Sequence, residues 1–215
     1  MQITLNHVIP TPLKDKFQKR NSDVWNREQT FKPKQWVKIK APSGTGKTTL
    51  THILYKLRSD FSGSVSWNDT NIASIKEDEL ASIRQQQLSI VFQDLRLFQN
   101  LTARENIELN RVLPKPYYES NVVDEMAAQL GIVHVLNQRA GLCSYGEQQR
   151  LAIIRALVQP FDFLLMDEPF SHLDKHNTSI AASLIAAECK KRNAAFVLMD
   201  LDDDDVFDYD RKLNL

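Results

Sequence analysis

The chain has 215 residues, enough for one well-buried α/β unit carrying a small inserted subdomain. Lys plus Arg and Asp plus Glu are equal at 27 each, which excludes a nucleic-acid partner held by bulk charge, and none is expected. Cys143 and Cys189 offer neither a disulfide framework nor a metal spacing, and they fit a reducing cytoplasm. The longest apolar runs, such as Phe161 through Met166, are far too short to cross a bilayer. The start, Met1 to Leu5, has no basic region followed by an apolar core, so no secretory signal is expected.

Alternation in Ile3-Thr4-Leu5 and in Trp36-Val37-Lys38-Ile39-Lys40 predicts strands. The second leads into Ala41-Pro42-Ser43-Gly44-Thr45-Gly46-Lys47-Thr48-Thr49, a phosphate-binding loop. Its small residues let successive backbone N–H groups turn inward around a polyphosphate. Lys47 brings a point charge to the β- and γ-phosphates, and the Thr48 hydroxyl is placed to ligate Mg²⁺. Ala41 stands where the usual pattern has its first Gly, the one least involved in the cradle, so the site is expected to survive. A helix from Thr48 through Leu57 would aim its positive N-terminal dipole at the same phosphates. The ligand is therefore a nucleoside triphosphate, held by Ser43, Gly44, Thr45, Gly46, Lys47, Thr48 and Thr49.

Beyond that helix, Ser62 through Asp69 reads as a strand and turn, and Leu88-Ser89-Ile90-Val91-Phe92 as a short buried strand ending at Gln93. Between about Asp94 and Arg139 the pattern turns helical, with a start at Leu101 to Ile107, a break at Pro114 and Pro116, and a helix from Glu119 to Leu130 stopped by Gly131. Ser144 is a good N-cap, and a helix opening there turns its free N–H groups outward as an anion receptor. Phe163-Leu164-Leu165-Met166 and Ala195-Phe196-Val197-Leu198-Met199 read as central parallel strands joined by a helix from Asn177 to Arg192. The first of these strands ends in Asp167-Glu168-Pro169. Beside a phosphate loop, two such carboxylates divide their work: Asp167 can hold Mg²⁺, and Glu168 can polarise the water that attacks the γ-phosphate.

The string Cys143-Ser144-Tyr145-Gly146-Glu147-Gln148-Gln149-Arg150 resembles the signature sequence of ATP-binding cassette (ABC) ATPases, usually Leu-Ser-Gly-Gly-Gln/Glu-Gln-Gln-Arg. The resemblance covers essentially the whole chain. It implies a phosphate-loop α/β core of ABC-ATPase type, with an N-terminal antiparallel β region and an inserted helical subdomain. Residues 1–93 and about 159–215 would form the core of this single domain, and about 94–158 the helical subdomain bearing the signature. In such proteins two subunits meet head to tail around two ATP molecules with Mg²⁺, as a homodimer or heterodimer. Ser144, Gly146 and Glu147 would then close in trans on the γ-phosphate held by the partner. Gln93 would touch Mg²⁺ and the attacking water. Ser171-His172-Leu173-Asp174 resembles the dimer-contact loop, commonly Ser-Ala-Leu-Asp, with Asp174 its acidic member. His172 and His176 read as surface residues. Glu168 marks a hydrolytic site, and a separate transmembrane permease would be driven through the loop after Gln93. The chain would sit in the cytoplasm, on the inner face of the membrane. The short length is similar to the ATPase subunits of lipoprotein-release, macrolide-export and cell-division complexes.

Three departures accompany the resemblance. Tyr145 replaces the first signature Gly. No aromatic sits convincingly where the adenine platform belongs, Phe17 and Trp25 being nearest. The family's His after the last core strand is replaced by Leu201 or Asp202, and no His follows His176. Loss of that donor lowers turnover and motivates an alternative: a slowly hydrolysing or non-hydrolysing assembly switch, or one half of a heterodimeric pair. A phosphate-loop kinase is a third reading, which leaves the signature string unexplained. The acidic run Asp202 to Asp205 reads as a solvated cap for a short last helix, with a calcium loop the weaker reading. Leu95, Leu97 and Phe98 suit either an exposed groove for a partner's helix or packing within the helical insertion.

Overall fold

The computed structural model describes residues 1–14, 22–112, 116–201 and 205–215. Phe17, Pro114 and Asp202 lie outside the described residues. At its centre is a parallel sheet of five strands in the order β6-β7-β8-β3-β9. These are β3 (Trp36–Lys40), β6 (Leu88–Val91), β7 (Phe163–Asp167), β8 (Ala195–Asp200) and β9 (Arg211–Asn214). Both faces are covered, so β7 and β8 are apolar up to the Asp167 and Asp200 at their carboxyl ends. Every residue of β7 is buried.

Period-two alternation divides the core between the two faces. Leu165, Val197 and Met199 face a cluster with Leu50, Ile53, Leu5, Phe31 and Trp67. Leu164, Met166, Phe196 and Leu198 face the helical side. The first cluster is closed by an antiparallel sheet, β2-β1-β4-β5, made of β1 (Ile3–Pro10), β2 (Glu28–Phe31), β4 (Phe61–Trp67) and β5 (Thr70–Asn71). Its register pairs Ile3 with both Phe31 and Trp67 and shifts between Asn6 and Ile9. Gly63 sits at that shift with φ +87°, where an added Cβ would lie 2.4 Å from the His7 carbonyl oxygen; no other residue fits.

Six α-helices of the described residues complete the molecule: α1 (Lys47–Leu54), α2 (Glu77–Gln86), α3 (Ala103–Val112), α4 (Asn121–Gln129), α5 (Tyr145–Val158) and α6 (Lys175–Arg192). Gly131, at φ +66°, ends the turn after α4 as the sequence predicts. Asp174 caps α6 by accepting the Asn177 N–H, and Asn193 closes it in the left-handed region. Helix α2 has no apolar run and buries none of its residues, so its only advance sign is the acidic first turn of Glu77, Asp78 and Glu79.

Of the two readings open for Leu95, Leu97 and Phe98, packing within the helical insertion holds for the leucines, and the expectation of a last helix is corrected. Leu95 and Leu97 are buried, while Phe98 alone of the three is 60% exposed. Consecutive left-handed residues, Leu95 and Arg96, fold the loop back so that its leucines join the helical-side core. Nor do residues 205–215 contain a helix; they run through bends into β9. Asp205 is exposed there, paired with Lys212 and, at 3.7 Å, with Lys38. Those pairings hold its carboxyl below the usual carboxylate range. Phe207 is buried against Trp36 and Phe196 in edge-on ring contacts, so the segment is pinned by packing in an irregular path.

Candidate active site

The carboxyl ends of β3, β6, β7 and β8 converge, the place where open parallel sheets present ligand-binding loops. Ala41 continues the ladder by donating its N–H to the Asp200 carbonyl at 2.8 Å. It is fully buried and has no positive φ, so this position makes no demand that only Gly can meet. Gly44 (φ +77°) and Gly46 (φ +98°) do need glycine, and Gly46 opens α1. An added Cβ on Gly46 would lie 2.6 Å from Leu13 Cδ1 and 3.4 Å from the Trp25 ring.

Trp25 is thereby placed, and not as an adenine platform. It is 3% exposed, and its Nε1 donates to the Thr45 carbonyl at 3.2 Å. It braces the phosphate loop from behind, which leaves no ring face for a base. Thr45 also turns inward, its hydroxyl donating to the Pro42 carbonyl at 2.7 Å. Ser43 is exposed, and Thr49 accepts from Arg58 at 3.5 Å.

Lys47 is buried and forms an ion pair with Glu168, itself 8% exposed. Burial pushes the Lys47 ammonium below the usual lysine range, opposed by the negative fields of Asp167 and Asp200. Glu168 holds a left-handed backbone, φ +48°, costly for a residue with a Cβ, and its N–H donates to the Met199 carbonyl at 2.9 Å. Asp167 is 1% exposed; one carboxylate oxygen accepts the Thr51 hydroxyl at 3.1 Å and the other, Oδ1, has no hydrogen-bond partner. Burial raises its pKa, with Lys47 pulling the other way. Thr48 donates its hydroxyl to Gln93 Oε1 at 3.2 Å. Lys47, Thr48, Gln93, Asp167 and Glu168 thus meet in one place, as the sequence leads one to expect.

The donor set fits a divalent cation. Thr48, Gln93 and Asp167 are hard oxygen ligands, and an orphaned buried carboxylate oxygen is costly unless something compensates it.

Ser144 and Glu147 direct their hydrogen bonds to each other and to His134, not to the phosphate loop. Ser144 caps α5 in a reciprocal box: its hydroxyl accepts the Glu147 N–H while Glu147 accepts the Ser144 N–H at 2.8 Å. Glu147 also pairs with His134 at 3.0 Å, and its carboxyl is held below the usual range, mainly by Ser144. Gly146 lies against the loop of Ser171 to Asp174, where a Cβ would stand 3.2 Å from the His172 carbonyl oxygen. The Tyr145 ring lies against the His172 ring, tilted by 46° with centroids 4.1 Å apart.

Helix α5 also reaches the catalytic loops with two side chains: Gln149, within the signature string but given no role by it, and Arg155, beyond it. Gln149, 1% exposed, donates to the Glu168 carbonyl at 3.0 Å and to Ser171 Oγ at 3.3 Å, and accepts the His172 N–H at 2.9 Å. Arg155 donates to the Arg96 carbonyl at 2.7 Å and to the Leu95 carbonyl. Its burial pushes the guanidinium down to about 10. One helix therefore grips the loop after Glu168 and the loop after Gln93.

No helix among the described residues is long and apolar enough to cross a membrane. The ABC transporter family profile matches residues 25–171. The uncharacterised ABC transporter ATP-binding protein YvcR of Bacillus subtilis (strain 168) is 35% identical over 167 residues, covering 77% of this chain and 64% of YvcR. The chain thus spans just under two thirds of that relative's length. The lipoprotein-releasing system ATP-binding protein LolD of Legionella pneumophila (strain Lens) is 35% identical over 166 residues, 76% of this chain and 73% of LolD. A dimeric structure of MJ0796, a bacterial ABC transporter cassette, superposes with a TM-score of 0.79 at 26% identity, over 93% of this chain and 88% of that one. The phosphate loop, the paired carboxylates and the capped signature helix have the same explanation: the chain belongs to the ABC transporter family.

Proposed function

We propose that this chain is the ATP-binding and ATP-hydrolysing subunit of an ABC transporter-type complex, working as a head-to-tail dimer that drives a separate membrane permease. The observation that carries this reading is the convergence of Lys47 and Glu168, both buried, with Asp167, Thr48 and Gln93 at the carboxyl edge of the sheet. The related cassette MJ0796 has been captured as a dimer in two structures, one of them bound to ADP and Pi in a post-hydrolysis state. Residues 1–93 and 159–215 form the nucleotide-binding core, and 94–158 the helical part bearing the signature.

ATP is the substrate. Its polyphosphate lies on the N–H groups of Ser43 to Thr49 at the start of α1, where the helix dipole and Lys47 favour negative charge. To reach the phosphates, Lys47 leaves Glu168, and the freed Glu168 carboxylate turns to the water that attacks the γ-phosphate. Mg²⁺, held by Thr48, Gln93 and Asp167, would neutralise charge on the β- and γ-oxygens. The α5 N-terminus of the partner, with Ser144, Gly146 and Glu147, closes the site, and Asp174 belongs to the loop between the two copies. Closure moves α5, and Gln149 and Arg155 pass that movement to the loops behind Glu168 and Gln93. The latter loop carries the exposed Phe98 toward the permease, so the chain sits in the cytoplasm on the inner face of the membrane.

The apolar, exposed Leu201 after β8 favours one rival: an ATP-dependent assembly switch with slow or no turnover, or the weaker half of a heterodimer. Mg-ATP turnover by the purified chain separates them, with Glu168→Gln as control. Turnover that vanishes in the variant supports the ATPase; binding without turnover, also in the presence of the permease, supports the switch.

A further inference from the structure

The phosphate loop brings a single cation, Lys47, into a setting crowded by the carboxylates of Asp167, Glu168 and Asp200. The end of β8 and the stretch after it, Asp200-Leu201-Asp202-Asp203-Asp204-Asp205, supply no cationic or amide side chain. Phosphoryl transfer spreads negative charge over the γ-phosphate oxygens, and a donor delivered from a second subunit is a recurrent physical solution. Such a donor must travel with the surface that closes on the phosphate, which in the reading above is the α5 N-terminus.

His172 travels with it. Its ring lies tilted against that of Tyr145, the first residue of α5, and its main chain is pinned to α5 by Gln149 and packed against Gly146. His172 is exposed, with Nδ1 2.9 Å from Ser171 Oγ, and among the described residues Nε2 has no hydrogen-bond partner. Of the other candidates, His134 pairs with Glu147, Arg150 donates to Asn177 at 2.9 Å, and Lys175 and His176 belong to the first turn of α6. The two departures in this region, Tyr145 for Gly and His172 for Ala, are therefore one physical unit, an imidazole steadied by a phenol ring beside an anion-receiving helix end.

We propose that His172 supplies, across the dimer interface, the γ-phosphate hydrogen-bond donor that the residues after β8 do not provide. His172 donates a hydrogen bond and transfers nothing; the bond broken is the γ-phosphate bridge bond, and the proton of the attacking water goes to Glu168. The assignment rests on the ATPase reading.

The test uses His172→Phe, which keeps a ring against Tyr145 and removes the donor. Turnover falls about a hundredfold, the loss expected for one transition-state donor, while His172→Gln retains part of it. Mixing His172→Phe with Glu168→Gln protein then locates the donor. If it acts in trans, each mixed dimer has one intact site, and an equal mixture recovers roughly a quarter of wild-type turnover. As a readout independent of hydrolysis, adding His172→Phe to Glu168→Gln weakens ATP-driven dimerisation about tenfold in sedimentation. Undiminished turnover in His172→Phe, no recovery on mixing, or unchanged dimerisation would each overturn the assignment. A wild-type chain with no Mg-ATP turnover would instead strike down the ATPase reading and this assignment with it.

Discussion

Gln149 holds Glu168 by its main chain: from within α5, its side-chain amide donates to the Glu168 carbonyl at 3.0 Å. A residue held at φ +48° needs such support, because the left-handed backbone has an intrinsic cost when a Cβ is present. Gln149→Leu keeps the volume and strands the Glu168 carbonyl and the His172 N–H. We expect a loss of about 1–3 kcal/mol. That corresponds to a fall of roughly 5 °C in melting temperature, measured by calorimetry. ATP affinity should change less than turnover, since Gln149 positions Glu168 and leaves the phosphate loop untouched.

Lys47→Ala should abolish ATP binding; micromolar affinity retained in isothermal titration would refute the assignment of the phosphate loop. Glu168→Gln should do the opposite. It removes the carboxylate that pairs with Lys47, so nucleotide binding tightens while turnover disappears.

Gly46→Ala tests the bracing of the loop by Trp25 and Leu13. The new methyl group meets Leu13 Cδ1 at 2.6 Å on a backbone of φ +98°. Destabilisation of about 1–3 kcal/mol and loss of nucleotide binding are expected. Wild-type affinity and melting temperature would show that the loop is not so confined.

Leu201→His places an imidazole in the same subunit's site. If His172 already provides a donor in trans, the change should alter wild-type turnover little and raise that of His172→Phe severalfold. A large gain in the wild-type background would mean that no donor was present before.

Cys189 gives a pH signature. Burial pushes its thiol up to about 12, against about 8.5 in an unfolded chain. Between those values the unfolded state has fewer protons bound than the native state, so stability falls as pH rises from about 8.5 toward 12. Cys189→Ala should lack this slope. Melting curves at pH 8 and pH 10 for both proteins measure it, and parallel slopes would dismiss the effect.

Much of the site was legible in the chain itself. Ser43 to Thr49 spell a backbone shape through small residues and glycines; Asp167-Glu168 follow an apolar strand; Ser144 and Glu147 close a capping box within one turn. Each depends on φ/ψ preferences and on neighbours a few residues away, which a linear sequence displays. The parallel core was equally visible, from the apolar runs Phe163 to Met166 and Ala195 to Met199 and the alternation of Trp36 to Lys40.

Tertiary packing decided the rest. Trp25 could have been a base platform until the fold buried it under Thr45. Leu95 and Leu97 could have been a docking groove until two left-handed residues turned them inward. Residues 205–215 passed over a terminal helix because Phe207 gains more by packing on Trp36 and Phe196 in an irregular path. Gln149 to Glu168, Arg155 to Leu95 and Tyr145 to His172 join positions far apart in the chain. Such contacts have no local signature: sheet register and helix packing bring them together, and only the folded chain specifies both.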